Sequence, residues 1–264
     1  MAAFKDRTDP LRVSATLYGC YLQCPQQALA RLRGVYPADS VAGFKGRLAH
    51  RVFARHLTDG EIAEEDFEMT CRRIIGESMS NDEVAHHLTM SEYRAMFREV
   101  HELYERFRLR SFTGFREAES EFVVESDDIV LTGRIDAIFE DDDGVRIVDW
   151  KTGTYLSDRE PQLSFYAMAW HRGHDEVPVV SEAVSIATGD FVRLEPSAQS
   201  INDTDAQVAA MARTLQEALR DGTDLDRYGG PHCRWCPLLE DCTEGGSAVD
   251  LLDRPTGRSR RSVG

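Results

Sequence analysis

A chain of 264 residues, 42% hydrophobic and 29% charged, is long enough for one large domain or two modest ones and too apolar to be disordered or fibrous. The net charge of -15 argues against a nucleic-acid partner, yet the acid excess is one-sided: residues 1–110 carry 16 basic and 16 acidic side chains, residues 111–264 carry 15 and 30, and the first 58 carry nine and three. No stretch approaches the roughly 18 apolar residues of a membrane span, and the first 13 residues have no apolar leader core, so the expected location is cytoplasmic.

In chain order, 14–33 reads as helix broken at Cys24-Pro25, since Pro suits a helix start better than an interior. Residues 43–57 place Phe44, Leu48 and Val52 at i, i+4 and i+8 on one helix face, and helices are expected near 61–78 and 89–110. The period then shortens to two. Strands are expected over 117–125, 128–140 and 145–151, the last two joined by a turn at Asp141-Asp142-Asp143-Gly144. A helix at 160–172, strand-like runs at 183–187 and 190–194, and a helix at 203–220 complete an α/β core preceded by helices. We expect one domain over 1–242, with a helical region (14–110), the core (111–220) and a cysteine segment (221–242), then a disordered tail over 243–264. No Gly-rich nucleotide loop is present, so any helicase would be a partner.

The last of the three strands carries Ile147-Val148-Asp149-Trp150-Lys151. Alternation puts Asp149 and Lys151 on one face, where a carboxylate can hold a hard cation and the ammonium can steady a phosphate; a plain ion pair is the bland alternative. Asp136 lies among apolar strand residues and needs a cation, Arg or metal as partner. Gln162 and Tyr166 share a helix face at i and i+4, where packing alone would also account for them. His50 ends Gly46-x-x-x-His50 and could be a structural histidine.

Taken together, GRLAH (46–50), GRIDAI (133–138), IVDWKTG (147–153) and QLSFY (162–166) resemble, in order, the motifs of the RecB-like branch of the PD-(D/E)xK nuclease superfamily, over residues 14–242. The resemblance implies a restriction-endonuclease-like mixed sheet. It implies His50, Asp136, Asp149 and the Trp150 carbonyl as ligands of Mg²⁺ or Mn²⁺, Lys151 as the catalytic lysine, and Gln162 and Tyr166 facing the site. Imidazole among carboxylates suits Mn²⁺. Glu119 and Glu121 open the first core strand, and Glu121 is taken as a further candidate because family members often carry a Glu there.

Cys233-x2-Cys236-x5-Cys242 is a three-thiolate cluster lacking a fourth ligand. Cys24 before Pro25, with three C-terminal cysteines, resembles the iron-sulfur members of this group, the AddB-type repair nucleases and the CRISPR-associated adaptation exonuclease. That resemblance implies a 4Fe-4S cluster on Cys24, Cys233, Cys236 and Cys242, with structural zinc as the alternative. Cys71 reads as core, Cys20, one helical turn before Cys24, as core or a rival ligand, and His232 as a weak rival ligand.

The expected function is a metal-dependent DNA exonuclease on single-stranded ends, in repair, recombination or CRISPR adaptation, with helicase or adaptation proteins as possible partners. The alternative is a non-catalytic iron-sulfur DNA-binding or scaffolding subunit. Arg31, Arg33, Arg47 and Arg51 are the expected DNA-binding side chains.

Overall fold

The computed structural model describes residues 10–126 and 128–254, which divide into two compact units. One comprises the chain up to Tyr18 with Asp39–Arg213, the other Gly19–Ala38 with Thr214 onward.

The larger unit is built on a mixed six-stranded sheet. Its strands are β1 (Leu11–Val13), β2 (Phe115–Glu125), β3 (Ile129–Asp141), β4 (Gly144–Lys151), β5 (Val180–Ser185) and β6 (Phe191–Leu194), in the order β1-β3-β4-β5-β6, with β2 also paired to β3. Strand β1 pairs parallel with Ile129 to Leu131 and lies just before the region expected to be helical. Three residues are too few for an alternation to show. Strand β3 is buried along both of its faces, so Val130 and Ile138 join the expected row of Ile129, Leu131, Ile135, Ala137 and Phe139 in the interior.

Helices α1 (Ala15–Gln23) and α2 (Pro25–Leu32) break at Cys24 as expected, with Cys24 extended and Pro25 opening α2. Helix α3 (Val41–Asp59) starts where the Ser40 hydroxyl accepts from the Gly43 amide and stops at Gly60, whose φ of 97° few other residues tolerate. Helices α4 (Phe67–Ser78), α5 (Glu83–His87) and α6 (Met90–Phe107) follow. The reciprocal Thr89 and Glu92 cap that opens α6 is written in the sequence as Thr-x-x-Glu. The apolar faces of α3, α4 and α6 bury Phe44, Leu48, Phe53, Cys71, Val100 and Phe107 against Ala137, Phe139, Val148 and Trp150 of the sheet. Each such large side chain contributes roughly 1.5–3 kcal/mol on burial. Helix α7 (Glu160–His174) links β4 to its parallel neighbour β5, and α8 is Ala198–Asp221.

In the smaller unit Gln26 ties α2 to residues 224–226. Its side chain donates to Asp224 Oδ1 at 3.0 Å and accepts from the Leu225 amide at 2.7 Å, and its own amide donates to the Asp226 carbonyl. The cysteines follow on short 3₁₀ turns at Pro231–Trp235 and Leu239–Asp241. Residues 243–253, expected in a disordered tail, form helix α9 (Thr243–Asp253), capped where Cys242 Sγ accepts from the Gly245 amide. The arginine-rich remainder of that tail, 255–264, lies outside the described residues. Among the described residues no helix is long and apolar enough to cross a membrane.

Candidate active site

The register of the sheet assembles the acidic residues. Ala118 pairs with Ala137 and Ala137 with Val148, so one step along Glu119, Asp136 and Asp149 stand side by side across β2, β3 and β4. Antiparallel neighbours at one level lie about 5 Å apart, which gathers carboxylates separated by 17 and 13 positions in the chain.

His50, on α3, holds Asp136 through Nδ1 at 3.1 Å from Oδ1, and the Trp150 amide donates to the other oxygen, Oδ2, at 2.7 Å. Asp149 is ion-paired with Lys151, Oδ2 to Nζ at 2.6 Å, as their shared strand face requires. Gln162 joins these groups: its Nε2 donates to Asp149 Oδ1 at 2.9 Å and to the Tyr166 hydroxyl at 3.0 Å, and its Oε1 accepts from Lys151 Nζ at 3.1 Å. A carboxylate can only accept and an ammonium can only donate, so this orientation of the amide is the one the chemistry allows. His50, Asp136, Asp149, Lys151, Gln162 and Tyr166, all named from sequence, line one open cleft together with Arg47, Arg134 and the α1 start at Ser14 to Thr16.

Charges in the cleft are unequal. Burial pushes the Asp136 carboxyl up, but the charge and hydrogen bond of His50, helped by Lys151 and the Trp150 amide, hold it below the usual carboxylate range. Asp149 is raised, chiefly by burial and further by the Asp136 charge, which Lys151 only partly offsets. Burial works to lower His50, yet the two aspartates outweigh it and hold it above its ordinary value. Two buried carboxylates side by side repel each other, and a divalent cation between them would relieve both. Burial, with the Asp149 charge, also raises Tyr166, leaving a protonated hydroxyl in the cleft.

Sequence reasoning singled out Glu121, but the structure brings Glu119 to the site. Glu121 is exposed, whereas ligand atoms of His50, Glu119 and Asp136 lie within 4.8 Å of one another, a group able to hold a metal ion. Glu119 has φ 52°, rare for a residue other than glycine. Alternation alone put both glutamates on one face and could not choose between them; the turned backbone at Glu119 does. Two of the expected DNA-binding arginines are otherwise engaged: Arg33 pairs with Asp224 at 3.0 Å, and Arg47 with Asp82 and, at 3.7 Å, with Asp39. Arg31 lies over the Tyr36 ring.

In the smaller unit Cys24, Cys233, Cys236 and Cys242 line one pocket with Gln26, Arg227, Tyr228 and His232, so residues more than 200 positions apart meet. Backbone N–H groups aim at two of the sulfurs, Gly230 at Cys233 (3.4 Å) and Gly245 at Cys242 (3.3 Å). Burial raises the Cys236 thiol, a backbone hydrogen bond at Leu238 partly opposes it, and the neighbouring Cys233, Cys24 and Cys242 raise it further. Cys71 is buried in α4, its thiol pushed up to about 12 by burial. Cys20 is half-buried and does not line the pocket.

The model of the PD-(D/E)XK nuclease superfamily matches residues 12–243, which is most of the chain. The chain belongs to the PD-(D/E)XK nuclease superfamily. No curated protein matches it significantly. Among solved structures it is similar to the Eubacterium rectale "Putative exonuclease", with a TM-score of 0.54 at 12% identity, over 96% of this chain and 97% of that one. That likeness is one of fold. SSO0001 matches 78% of this chain and 98% of its own at 17% identity, with a TM-score of 0.37. The restriction-endonuclease-like mixed sheet expected from the motifs is the fold observed. Members of this superfamily are nucleases that hydrolyse phosphodiester bonds with divalent metal ions, and the His50, Glu119 and Asp136 group fits such an ion.

Proposed function

We propose that this nuclease is a metal-dependent DNA exonuclease acting on single-stranded ends, with His50, Asp136 and Asp149 holding Mg²⁺ or Mn²⁺ and Glu119 beside them. The observation that carries this reading is the hydrogen-bonded set Asp149, Lys151, Gln162 and Tyr166 facing the His50 and Asp136 pair in one cleft. The bound cation would supply Lewis-acid activation of water and charge stabilisation at the phosphate. Lys151 sets its ammonium where negative charge develops on the phosphate or its attacking water. Gln162 keeps Lys151 and Asp149 in register. Tyr166, held neutral, offers its hydroxyl proton to a phosphate oxygen. The preference for ends and for single strands follows from the motif resemblance, as does work in repair, recombination or CRISPR adaptation beside helicase or adaptation proteins.

The four cysteines belong to the same proposal as ligands of a structural 4Fe-4S cluster. Support comes from the donor set, four thiols around one pocket with backbone N–H groups directed at two of them, an arrangement that suits anionic sulfur. Zinc on the same cysteines is the competing occupant.

Cleavage of a labelled single strand with Mg²⁺ or Mn²⁺ is expected to vanish in EDTA and in Asp136→Ala, Asp149→Ala and Lys151→Ala proteins that keep the wild-type melting temperature. Ca²⁺ should support binding with little cleavage, since it accepts looser and higher coordination than Mg²⁺. Full activity of Lys151→Ala, or of wild type in EDTA, would sink the catalytic reading. Wild type that binds DNA and never cleaves it would favour the scaffolding subunit.

A further inference from the structure

The cations lining the cleft are not equally free. Lys151 is held by Asp149 and Gln162, and Arg47 by Asp82 and Asp39. Arg134, two residues before Asp136 on β3, is ion-paired through one atom, its Nε 3.0 Å from Glu119 Oε2, and that oxygen accepts no hydrogen bond. Its terminal Nη1 and Nη2 groups have no hydrogen-bond partner among the described residues, and the side chain is 37% exposed while Glu119 is 15% exposed. Arg134 lines the cleft, whereas Glu119 does not. The carboxylate therefore grips the guanidinium from one side and leaves the opposite fork open.

Two further features hold this geometry. Glu119 has φ 52°, a conformation unfavourable for a non-glycine residue, which persists only where its surroundings impose it. Gly133, next to Arg134, lies under the Phe122 ring so closely that a Cβ there would sit 2.5 Å from Phe122 Cζ. The β3 backbone that carries Arg134 is thus pressed against β2, the strand that carries Glu119.

A guanidinium beside a group suited to a divalent cation is repelled by that cation unless an anion lies between them. Glu119 supplies part of that charge, since its carboxylate neighbours both Arg134 and the His50 and Asp136 pair. A phosphate in the cleft would supply the rest, and a planar fork with two free N–H groups matches its oxygens in a bidentate pair.

We propose that Arg134 clamps a substrate phosphate beside the metal group, and that Glu119 is the positioning residue that aims it by holding Nε. This rests on the nuclease reading above and adds to it a residue that binds substrate without ligating metal.

The test is the binding of a fluorescent single-stranded oligonucleotide, followed by anisotropy at several salt concentrations with saturating Ca²⁺, and melting temperature as the control for folding. Arg134→Ala is expected to weaken binding about tenfold and to reduce the salt slope by about 0.7, the loss of one phosphate contact on a single strand. Arg134→Lys should restore the slope and only part of the affinity, because the charge returns without the fork. Glu119→Ala and Glu119→Gln, which both remove the ion pair, should weaken binding, and the double Ala variant should bind no worse than Arg134→Ala. A folded Arg134→Ala protein with wild-type affinity and slope overturns the proposal alone and leaves the nuclease standing. Arg134→Ala with a lowered melting temperature and an unchanged slope makes the pair purely structural and also overturns it. Wild type that binds no DNA overturns both readings.

Discussion

At the scale of single residues, Gln162 is the side chain on which the cleft depends. It satisfies a buried carboxylate, an ammonium and a phenol at once, because an amide side chain has two N–H donors and a carbonyl acceptor to spread over three such partners. Gln162→Ala is expected to lower kcat by about 10- to 100-fold, the range seen when an outer partner of a metal ligand is removed, with little change in KM. Tyr166→Phe should cost less, since it deletes one hydroxyl and leaves Gln162 bound to Asp149 and Lys151. Single-turnover rates measured beside substrate affinity check this. A KM effect without a kcat effect would make Gln162 a substrate-binding residue instead. The pair Asp149-x-Lys151 was legible because alternation dictates a shared face. Glu119 was not, because a single turned residue in β2 decides which glutamate approaches His50.

At the scale of elements, α3 and α6 are joined by a buried polar contact that carries its own pH dependence. The Ile62 amide donates to the Tyr104 hydroxyl at 2.7 Å, and the same oxygen lies 3.0 Å from His56 Nδ1. With the imidazole neutral and Nδ1 unprotonated, the hydroxyl can accept from the amide and donate its proton to Nδ1. Burial lowers the His56 pKa from 6.5, only partly opposed by the Glu61 charge, and Phe107 and Phe112 pack on its ring. The unfolded chain binds this proton more tightly than the folded one. Stability from His56 is therefore complete above about pH 6.5 and lost as pH falls through the lower folded value, at no more than about 1.4 kcal/mol per pH unit. His50 has the opposite sign, its contribution being full below 6.5 and lost as pH rises through its raised value. Chemical denaturation in EDTA from pH 5 to 8 should show a shallower acid decline for His56→Gln than for wild type, the difference reporting His56 alone. Parallel curves would assign the acid decline to other groups.

At the scale of the whole molecule, the four cysteines join the two ends of the smaller unit, where α2 and the segment after Asp221 meet through Gln26 and Arg33. Purified protein is expected to be brown, with broad absorption near roughly 400 nm. Replacing Cys24, Cys233, Cys236 or Cys242 with Ser should bleach it and lower its melting temperature, because the free energy of binding a metal group at a site absent from the unfolded chain is folding free energy. Cys71→Ser and Cys20→Ser should keep the colour, since Cys71 is a core thiol and Cys20 lies off the pocket. Metal analysis separates the occupants: a colourless protein with one zinc would replace the cluster and keep the four ligands.

Local chemistry wrote much of this protein into its sequence. Helix faces, the Thr89 cap, the break at Cys24-Pro25, the β3 to β4 hairpin and the Asp149-x-Lys151 face all follow from spacing, because each depends on residues a few positions apart. The motif order points to His50, Asp136, Gln162 and Tyr166, which share one cleft, and the cysteine spacing to three of the thiols that share a pocket with Cys24. Strand β1 and helix α9 escaped, one too short to show a period and the other held by a cap on a cysteine. Only the tertiary structure chose Glu119 over Glu121, engaged Arg33 and Arg47 in ion pairs, and left the fork of Arg134 open. Those outcomes depend on cross-strand register, a positive φ and competition among distant charges, which are properties of the packed chain and not of any stretch of it.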